Sequence, residues 1–562
     1  MTVESLLPSD SPPRLSGEKR RRLGVLTHGS LNGGVEMKHD PGRSVESVRA
    51  GTFCVVEGRQ YDFFSMVTDV RIEAANEGIL LHPPGRDDEL LREVMQGSGT
   101  YATVSLKPML MMEQGLGDGD PLPVKTVPSH FSLVGEANED DVARVFGSEA
   151  LDGGDRFFHV GTPLDMDAPV CLDLARLVER SNAVFGKTGT GKSFLARLLL
   201  CGTIKTGRAV NLVFDMHNEY GYRARKETSD GRGGWVPGLR DLFPGRVQVY
   251  TLDPASARRR GQRPDVEVHL YADQVEPEDI LPLRETLNLN PTAAESTYGL
   301  KKVYGSGWLA TLLRAEGAEI EEMAEKTGTH PGSLGALKRK LDRLDGLGFF
   351  HLDRTTHHRD VVEDLLESLA AGKSVVLEFG QHNSLLVYLL VANVITRRLR
   401  RRYEELYEEH EADPDHVAPP RQLMITIEEA HKFLGPATAR ETPFGKIARE
   451  MRKFSVSLLI VDQRPSGIDE EVLSQIGTKI VAQLNDEKDI SAALVGTSGA
   501  SALRQVLASL DSKQQALVLG HAVPMPVVIQ SRLYDQDFFD ALKGDVPSGN
   551  AAEMQAQMGE LF

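Results

Sequence analysis

The sequence predicts an α/β protein: a parallel sheet flanked by helices, preceded by a small β-barrel and interrupted by a helical insertion. Three observations point there. Short apolar runs punctuated by Gly, Pro, Asn and Asp recur between residues 23 and 151, the rhythm of a small barrel. From about Val160 onward, strand-like runs alternate with helical stretches, which implies right-handed βαβ crossovers and a parallel sheet. Between residues 276 and 368 the strand signals fade and helical stretches such as 334–347 take over.

In chain order, residues 1–18 are rich in Ser and Pro and read as a tail. The barrel is expected over 19–155, on the runs 23–27, 52–56, 63–67, 101–106 and 130–134. The first part of the parallel-sheet core is expected over 156–275, with strands at 183–185, 210–214 and 247–252. The helical insertion covers 276–368. The second part of the core covers 369–534, with strands at 374–379, 422–427, 457–461 and 479–484. Residues 535–562 are polar and predict a helix followed by a loose tail.

Charge and cysteine usage narrow the function classes. Lys plus Arg is 64 and Asp plus Glu is 81, a formal net charge of −17. That balance excludes a histone-like binder, yet permits a nucleic-acid motor whose channel is locally basic. Cys54, Cys171 and Cys201 form no C-x-x-C pair, which excludes a disulfide scaffold and a cysteine zinc site and fits a reducing cytoplasm. The first residues lack a basic region followed by an apolar run, so no secretory signal is expected. The longest strongly apolar run, 385–395, is shorter than the about 20 residues a bilayer requires. No membrane association is expected.

Gly186-Lys187-Thr188-Gly189-Thr190-Gly191-Lys192-Ser193 matches G-x-x-x-x-G-K-[ST] in full, between a predicted strand and a predicted helix. Glycines let the backbone curl so that successive N–H groups face phosphate oxygens, and the helix N-terminus adds a favourable dipole. Lys192 would reach the β- and γ-phosphates of ATP, and the Ser193 hydroxyl would coordinate Mg²⁺. The apolar run ending at Ile427 delivers Glu428 and Glu429 at its carboxyl end, where ligands of parallel sheets bind. Glu428 would hold the Mg²⁺ shell, and Glu429 would orient and deprotonate the attacking water.

The set resembles the HerA branch of the HerA/FtsK ATPases, hexameric DNA-translocating motors. The resemblance rests on 185–193, then Asp215-Met216-His217-Asn218-Glu219-Tyr220, Ile427-Glu428-Glu429-Ala430-His431, Ala448-Arg449-Glu450-Met451-Arg452-Lys453-Phe454 and Gln463-Arg464-Pro465, and extends from about Leu23 to Tyr534. It implies a RecA-like (ASCE) P-loop ATPase core and makes the N-terminal region this family's HAS barrel. One departure is Glu428, where many members carry Asp; the longer side chain still reaches an outer-sphere Mg²⁺ position.

The resemblance also implies roles beyond the two motifs. Asp215 is needed for hydrolysis in the family; its plainer alternative is a loop cap. Gln463 would sense the γ-phosphate or position water, or else make a local loop hydrogen bond. Arg449 and Arg452 are predicted one turn apart on a single helix face. One of them, Arg452 first, would act in trans on a neighbour's transferring phosphoryl; the alternative is a solvated charged face. Arg180 is a weaker third candidate. Three basic clusters are candidates for phosphate-backbone contact: 19–22, 397–402, and Arg223 with Arg225 and Lys226, the last being the best pore-loop candidate.

The function expected from this is a ring-forming, ATP-driven DNA translocase or helicase acting without sequence preference in DNA end resection and double-strand break repair. The implied partner is a NurA-like nuclease at the barrel face of a homo-hexamer. The alternative is the ATPase subunit of an anti-phage defence complex with another effector enzyme. A membrane-anchored conjugation ATPase is disfavoured by the missing apolar span.

Overall fold

A computed structural model describes residues 20–74, 100–114, 121–150, 154–164, 166–225, 235–354, 359–382, 384–497, 500–510 and 514–543. The tail 1–18, Lys19, Lys226 and the last residues, 544–562, therefore lie outside the described residues. These fall into two compact units: 1–151 with 159–172 and 518–530, and 152–158 with 173–517 and 531–562.

The first unit is built on seven strands: β1 (Arg22–Ser30), β2 (Gly34–His39), β3 (Phe53–Glu57), β4 (Tyr61–Ala74), β5 (Thr100–Glu113), β6 (Leu122–Pro123) and β7 (Leu133–Glu136). Their order is β2-β1-β7-β3-β4-β5-β6, and β2 pairs β5, so six strands close a barrel with β6 on its rim. Alternation places Val35 and Met37, Cys54 and Val56, and Val104 and Leu106 inside, around Leu26, Phe63 and Val134. Helix α1 (Glu139–Phe146) follows, opened by a capping box from Asn138 and Asp141. The strands Phe157–Pro163, Val170–Asp173 and Val527–Ser531 are neighbours in one sheet. Most of their residues fall in this unit.

The second unit carries eight parallel strands: β8 (Asn182–Phe185), β9 (Val210–Asp215), β10 (Val247–Thr251), β11 (Val266–Glu267), β12 (Ser374–Glu378), β13 (Leu423–Glu428), β14 (Val456–Asp462) and β15 (Thr478–Ala482). Their order is β11-β10-β12-β9-β13-β14-β8-β15, and each neighbouring pair runs parallel. Strand β14 stands between the phosphate-loop strand β8 and the acidic strand β13, the RecA-like arrangement. Strands buried on both faces read as unbroken Val/Ile/Leu runs, and β9, β12, β13 and β14 are buried throughout.

Helix α2 (Lys192–Thr206) leaves the phosphate loop and is buried from Leu195 to Ile204, then stops at Gly207 in the left-handed region. The insertion is helical: α3 (Pro277–Ile280), α4 (Pro291–Tyr304), α5 (Trp308–Arg314), α6 (Ala318–Thr327), α7 (Pro331–Leu341) and α8 (Val361–Ala370). The apolar run at 385–395 begins the 28-residue helix α9 (Leu385–Ala412), capped by Ser384. Among the described residues, no helix is long and apolar enough to cross a membrane. Helix α10 (Pro443–Glu450) precedes β14, and α11 (Gln536–Lys543) ends the described chain.

Candidate nucleotide-hydrolysis site

The site lies within the second unit and starts at the turn after β8. Gly189 and Gly191 have φ of 80° and 91°, a region that a side chain makes costly. At Gly186 a Cβ would stand 2.7 Å from Thr190 Oγ1 and 2.9 Å from Ala482 Cβ, so only glycine fits. Backbone bonds tie the loop to both neighbouring strands: Gly186 N–H donates to Asp462 O at 3.3 Å and Lys187 N–H to Gln483 O at 3.0 Å. Thr190 Oγ1 and Lys192 Nζ both donate to Lys187 O, at 2.7 and 3.0 Å. Lys192 thus lies folded over its own loop. Burial pulls its ammonium below the ordinary value, against the opposing charges of Glu429, Asp462 and Glu428. Ser193 follows it in the first turn of α2.

Strand β13 brings Glu428 to its buried end and turns sharply. Glu428 is 6% exposed, and one carboxylate oxygen accepts from Tyr220 Oη at 3.0 Å. Its other oxygen, Oε2, is buried with no hydrogen-bond partner. Burial, chiefly, with Asp215 and Glu219 pushes this carboxyl up to about 8. An orphaned buried acceptor on an acid is what a divalent cation satisfies, so Ser193 and Glu428 fit a Mg²⁺ ion in donor chemistry. Glu429 has φ of 49°, which costs a non-glycine residue about 1–2 kcal/mol and throws its side chain out of the strand direction.

Gln463, just past β14, joins the two motifs. Thr188 Oγ1 donates to Gln463 Oε1 at 2.8 Å, and Gln463 Nε2 donates to Glu429 Oε1 at 3.4 Å. Asp462 is buried at 1% and accepts from His431 N–H and Arg464 N–H, each at 2.7 Å. The His431 ring nitrogen Nδ1 lies 3.0 Å from Asp462 Oδ2 and 3.7 Å from Glu429 Oε2. Lys192, Glu428, Glu429 and Gln463 are therefore brought together from three separated segments.

Asp215 ends β9 fully buried, and its carboxylate accepts from Glu219 N–H and Tyr220 N–H at 2.8 Å and Gly221 N–H at 3.4 Å. It caps this turn, and the turn presents Tyr220 to Glu428. Arg449 and Arg452 do not share one α-helix. Helix α10 ends at Glu450, and Arg452 sits in the 3₁₀ turn Met451–Phe454, because the chain must tighten before entering β14. Arg452 is exposed and pairs with Glu179 at 3.4 Å. Arg449 Nη1 is buried without a partner. Among the described residues, no hydrogen bond or ion pair links either arginine to Lys192, Glu428 or Glu429.

Two of the three basic clusters serve internal pairing. Arg397 is buried and holds Asp279 with two bonds at 2.8–2.9 Å. Arg398 grips Asp360 in a two-pronged pair at 2.7 and 2.8 Å, and Arg400 and Arg402 pair with Glu404, Glu405 and Glu409. Arg20 is enclosed by Asp141, Asp62 and Glu57. Arg21 and Arg22 meet Glu136 and Asp40. In the third cluster Arg223 lies over the Trp235 ring at 5.1 Å.

Three residues of this neighbourhood escaped the sequence reading. Glu378 ends β12 beside Asp215, fully buried, with Oε2 2.6 Å from Arg260 Nη2. Burial, then Asp215, pushes it up to about 7 against the pull of Arg260. The signal was available: an acid closing a buried parallel strand, as at Glu428. Arg197, buried in α2, donates to Glu219 O and faces the rings of Phe194, Tyr220 and Tyr534. Asp462 is the third; it closes β14 and orients His431.

A family model for the central domain of the helicase HerA matches residues 158–399. The chain is 35% identical over 401 residues to a probable DNA double-strand break repair helicase HerA of Methanocaldococcus jannaschii, covering 65% of this chain and 74% of that protein. It is 23% identical over 523 residues to the DNA double-strand break repair helicase HerA of Sulfolobus acidocaldarius, covering 90% and 93%. Among solved structures, the bacterial conjugative coupling protein TrwB covers 71% of this chain and 93% of its own at 13% identity, with a TM-score of 0.44.

Proposed function

We infer the function from one premise, that this chain belongs to the HerA helicase family: it is an ATP-hydrolysing DNA helicase or translocase of double-strand break repair. The observation that carries this is the link Thr188–Gln463–Glu429, which couples the phosphate loop to the acid at the end of β13. In this reading the N–H groups of 186–193 cradle the phosphates of ATP. Lys192 gives up Lys187 O and offsets charge on the β- and γ-oxygens. Ser193 and Glu428 would hold Mg²⁺, which supplies electrostatic neutralisation of the phosphate oxygens when bound. Glu429, freed by Gln463, takes the proton of the attacking water. Asp215 positions Tyr220 and through it Glu428.

Arg452 acts on the nucleotide of a neighbouring subunit in a homo-hexameric ring, a role supported by its exposure and by its pairing with Glu179 rather than with a residue of the in-chain site. Arg449 is the reserve. DNA passes without sequence preference, and a NurA-like nuclease docks at the barrel. The test is ATP turnover by the full chain with and without linear DNA. DNA should stimulate turnover, and Lys192→Ala should abolish both basal and stimulated rates while leaving the melting temperature unchanged. Substantial hydrolysis by Lys192→Ala would remove the phosphate loop from the reaction.

A further inference from the structure

Within the helical insertion, α6 and α7 form a closely joined pair. Helix α6 ends at Gly328, whose φ of 65° and ψ of 29° lie in the left-handed region, and whose N–H donates to Ala324 O and Glu325 O. Thr329 N–H also donates to Ala324 O, at 2.9 Å. His330 then caps α7: its ring Nδ1 accepts from Gly332 N–H at 3.0 Å, and Pro331 opens the helix. Only Gly328, Thr329 and His330 separate the two helices. Buried Met323 and Ala324 of α6, with buried Leu334, Leu337 and Leu341 of α7, make their inner faces, and both helices pack on α4. There Gly299 comes so near the last turn of α6 that a Cβ would stand 3.3 Å from Thr327 O. Two helices joined by a three-residue turn containing glycine, backed by a third helix, make a helix-turn-helix unit, whose second helix is the one that enters a DNA groove.

Charge separates the two helices. The exposed face of α6 carries Glu319, Glu321, Glu322 and Glu325 and repels a phosphate backbone. The outer face of α7 and of the 3₁₀ turn Asp342–Leu344 after it carries Arg339, Lys340 and Arg343. Among the described residues none of these three cations has an ion-pair partner, whereas their neighbour Lys338 holds Asp342 at 2.9 Å. Arg397, Arg398, Arg400 and Arg402 are likewise all held by acids of the chain. In a chain of net charge −17, three neighbouring cations left without acids favour an anionic partner from outside. Towards the start of α7 the outer face is bare, with Gly332 exposed and Gly335 and Ala336 half-buried. The helix can therefore come close to a duplex, while no side chain on that stretch reaches a base edge.

We propose that the insertion binds double-stranded DNA through α7, with Arg339, Lys340 and Arg343 on the phosphates. The inference rests on the DNA-acting function proposed above and adds a duplex contact outside the nucleotide-hydrolysis site. The 11 residues of α7 span about 16 Å, and the major groove, roughly 12 Å wide, admits an α-helix. Phosphate contacts fix position and base-edge contacts read sequence. The face of α7 supplies the first and lacks the second, so its binding is independent of sequence.

The experiment measures binding of the full chain to a blunt DNA duplex and to a single strand of the same length, by fluorescence anisotropy across salt concentrations. The triple variant Arg339→Gln, Lys340→Gln, Arg343→Gln is compared with the unsubstituted protein. Each phosphate contact adds about 0.9 to the slope of log K against log salt. The variant should therefore lose at least about 2 from the duplex slope and bind duplex at least about tenfold more weakly. Single-strand affinity should change by less than about twofold, and ATP turnover without DNA should be unchanged. An unchanged duplex slope in a variant that melts normally, or equal losses on duplex and single strand, overturns the contact. Tighter binding of an RNA duplex than of the DNA duplex would reassign α7 to RNA and overturn it too. If the variant fails to fold, cross-linking of the unsubstituted chain to a duplex bearing azidophenacyl groups on its backbone decides: cross-links within 329–345 support the contact, and cross-links confined elsewhere overturn it. A variant that binds duplex normally while DNA still stimulates ATP turnover removes this contact and spares the motor. Failure of the unsubstituted chain to bind either DNA would sink both.

Discussion

At residue scale, the two glutamates ending β13 are adjacent yet sit in opposite environments. Glu428 is buried against Tyr220, whereas the positive φ of Glu429 turns it towards Gln463 and Lys192. Glu429→Gln should bind ATP and hydrolyse it at least about 100-fold more slowly, since an amide takes no proton from water. Single-turnover kinetics check this, and a slow Glu428→Gln beside a nearly normal Glu429→Gln would reverse the two roles. Glu378 makes a different prediction. Its folded value of about 7 lies above the usual carboxyl value near 4.5. The native state therefore holds a proton that the unfolded chain releases between roughly pH 4.5 and 7. Native stability falls as pH rises through that window, by up to about 3 kcal/mol. Glu378→Gln removes the titration. The melting temperature of the variant minus that of the parent should therefore increase from pH 5 to pH 8; a constant difference would contradict the assignment.

At the scale of elements, α9 shows how a run of arginines is misread from sequence. Residues 397–402 look like a solvated basic helix end. In the fold, Arg397 and Arg398 meet acids from distant segments, Asp279 and Asp360, whereas Arg400 and Arg402 pair with acids of the same helix. Arg397 joins α9 to α3 through Asp279, with both side chains buried. Arg397→Met should leave Asp279 buried and unpaired, loosening the insertion by about 3–5 kcal/mol. Native-state hydrogen exchange at the amides of 277–280 should accelerate accordingly. Asp279→Leu combined with Arg397→Met should recover most of the loss, because no unpaired charge remains. Arg449 and Arg452 carry the complementary lesson: the motif was legible, while the helix boundary between them depends on how the chain enters β14.

At the scale of the whole molecule, the prediction concerns assembly. If Arg452 completes a neighbour's site, Arg452→Ala and Lys192→Ala are each inactive alone. Mixed into one ring, a subunit with intact Lys192 can receive Arg452 from a Lys192→Ala neighbour. Turnover should then reappear in part, well above background, since an arginine supplied in trans is worth of order 10³ or more. ATP turnover across mixing ratios, with mixed rings verified by native mass spectrometry, measures this. No recovery in verified mixed rings would assign Arg452 to its own subunit's site or require every site in the ring to fire. Normal turnover by Arg452→Ala alone would transfer the role to Arg449.

The chemistry of this protein was legible where it is local. A phosphate loop is a backbone conformation, so 186–193 announces itself by glycines and one lysine in a row. A buried parallel strand announces itself by apolar residues, and an acid at its end by contrast, which is why Glu428 and Glu429 stood out. Glu378 carries the same mark at the end of β12, but no motif stands beside it in the chain. What the chain order did not contain is which strand ends become neighbours. The pairing of β9 with β12 and β13 sets Asp215 beside Glu378 and, through Tyr220, beside Glu428. The segment after residue 514 returns to the phosphate-loop helix to wall a cleft at Phe194. These are contacts between residues up to some 340 positions apart. They arise from burying strands and rings against one another, a collective energy that no short stretch of sequence expresses, and so only the tertiary structure decided them.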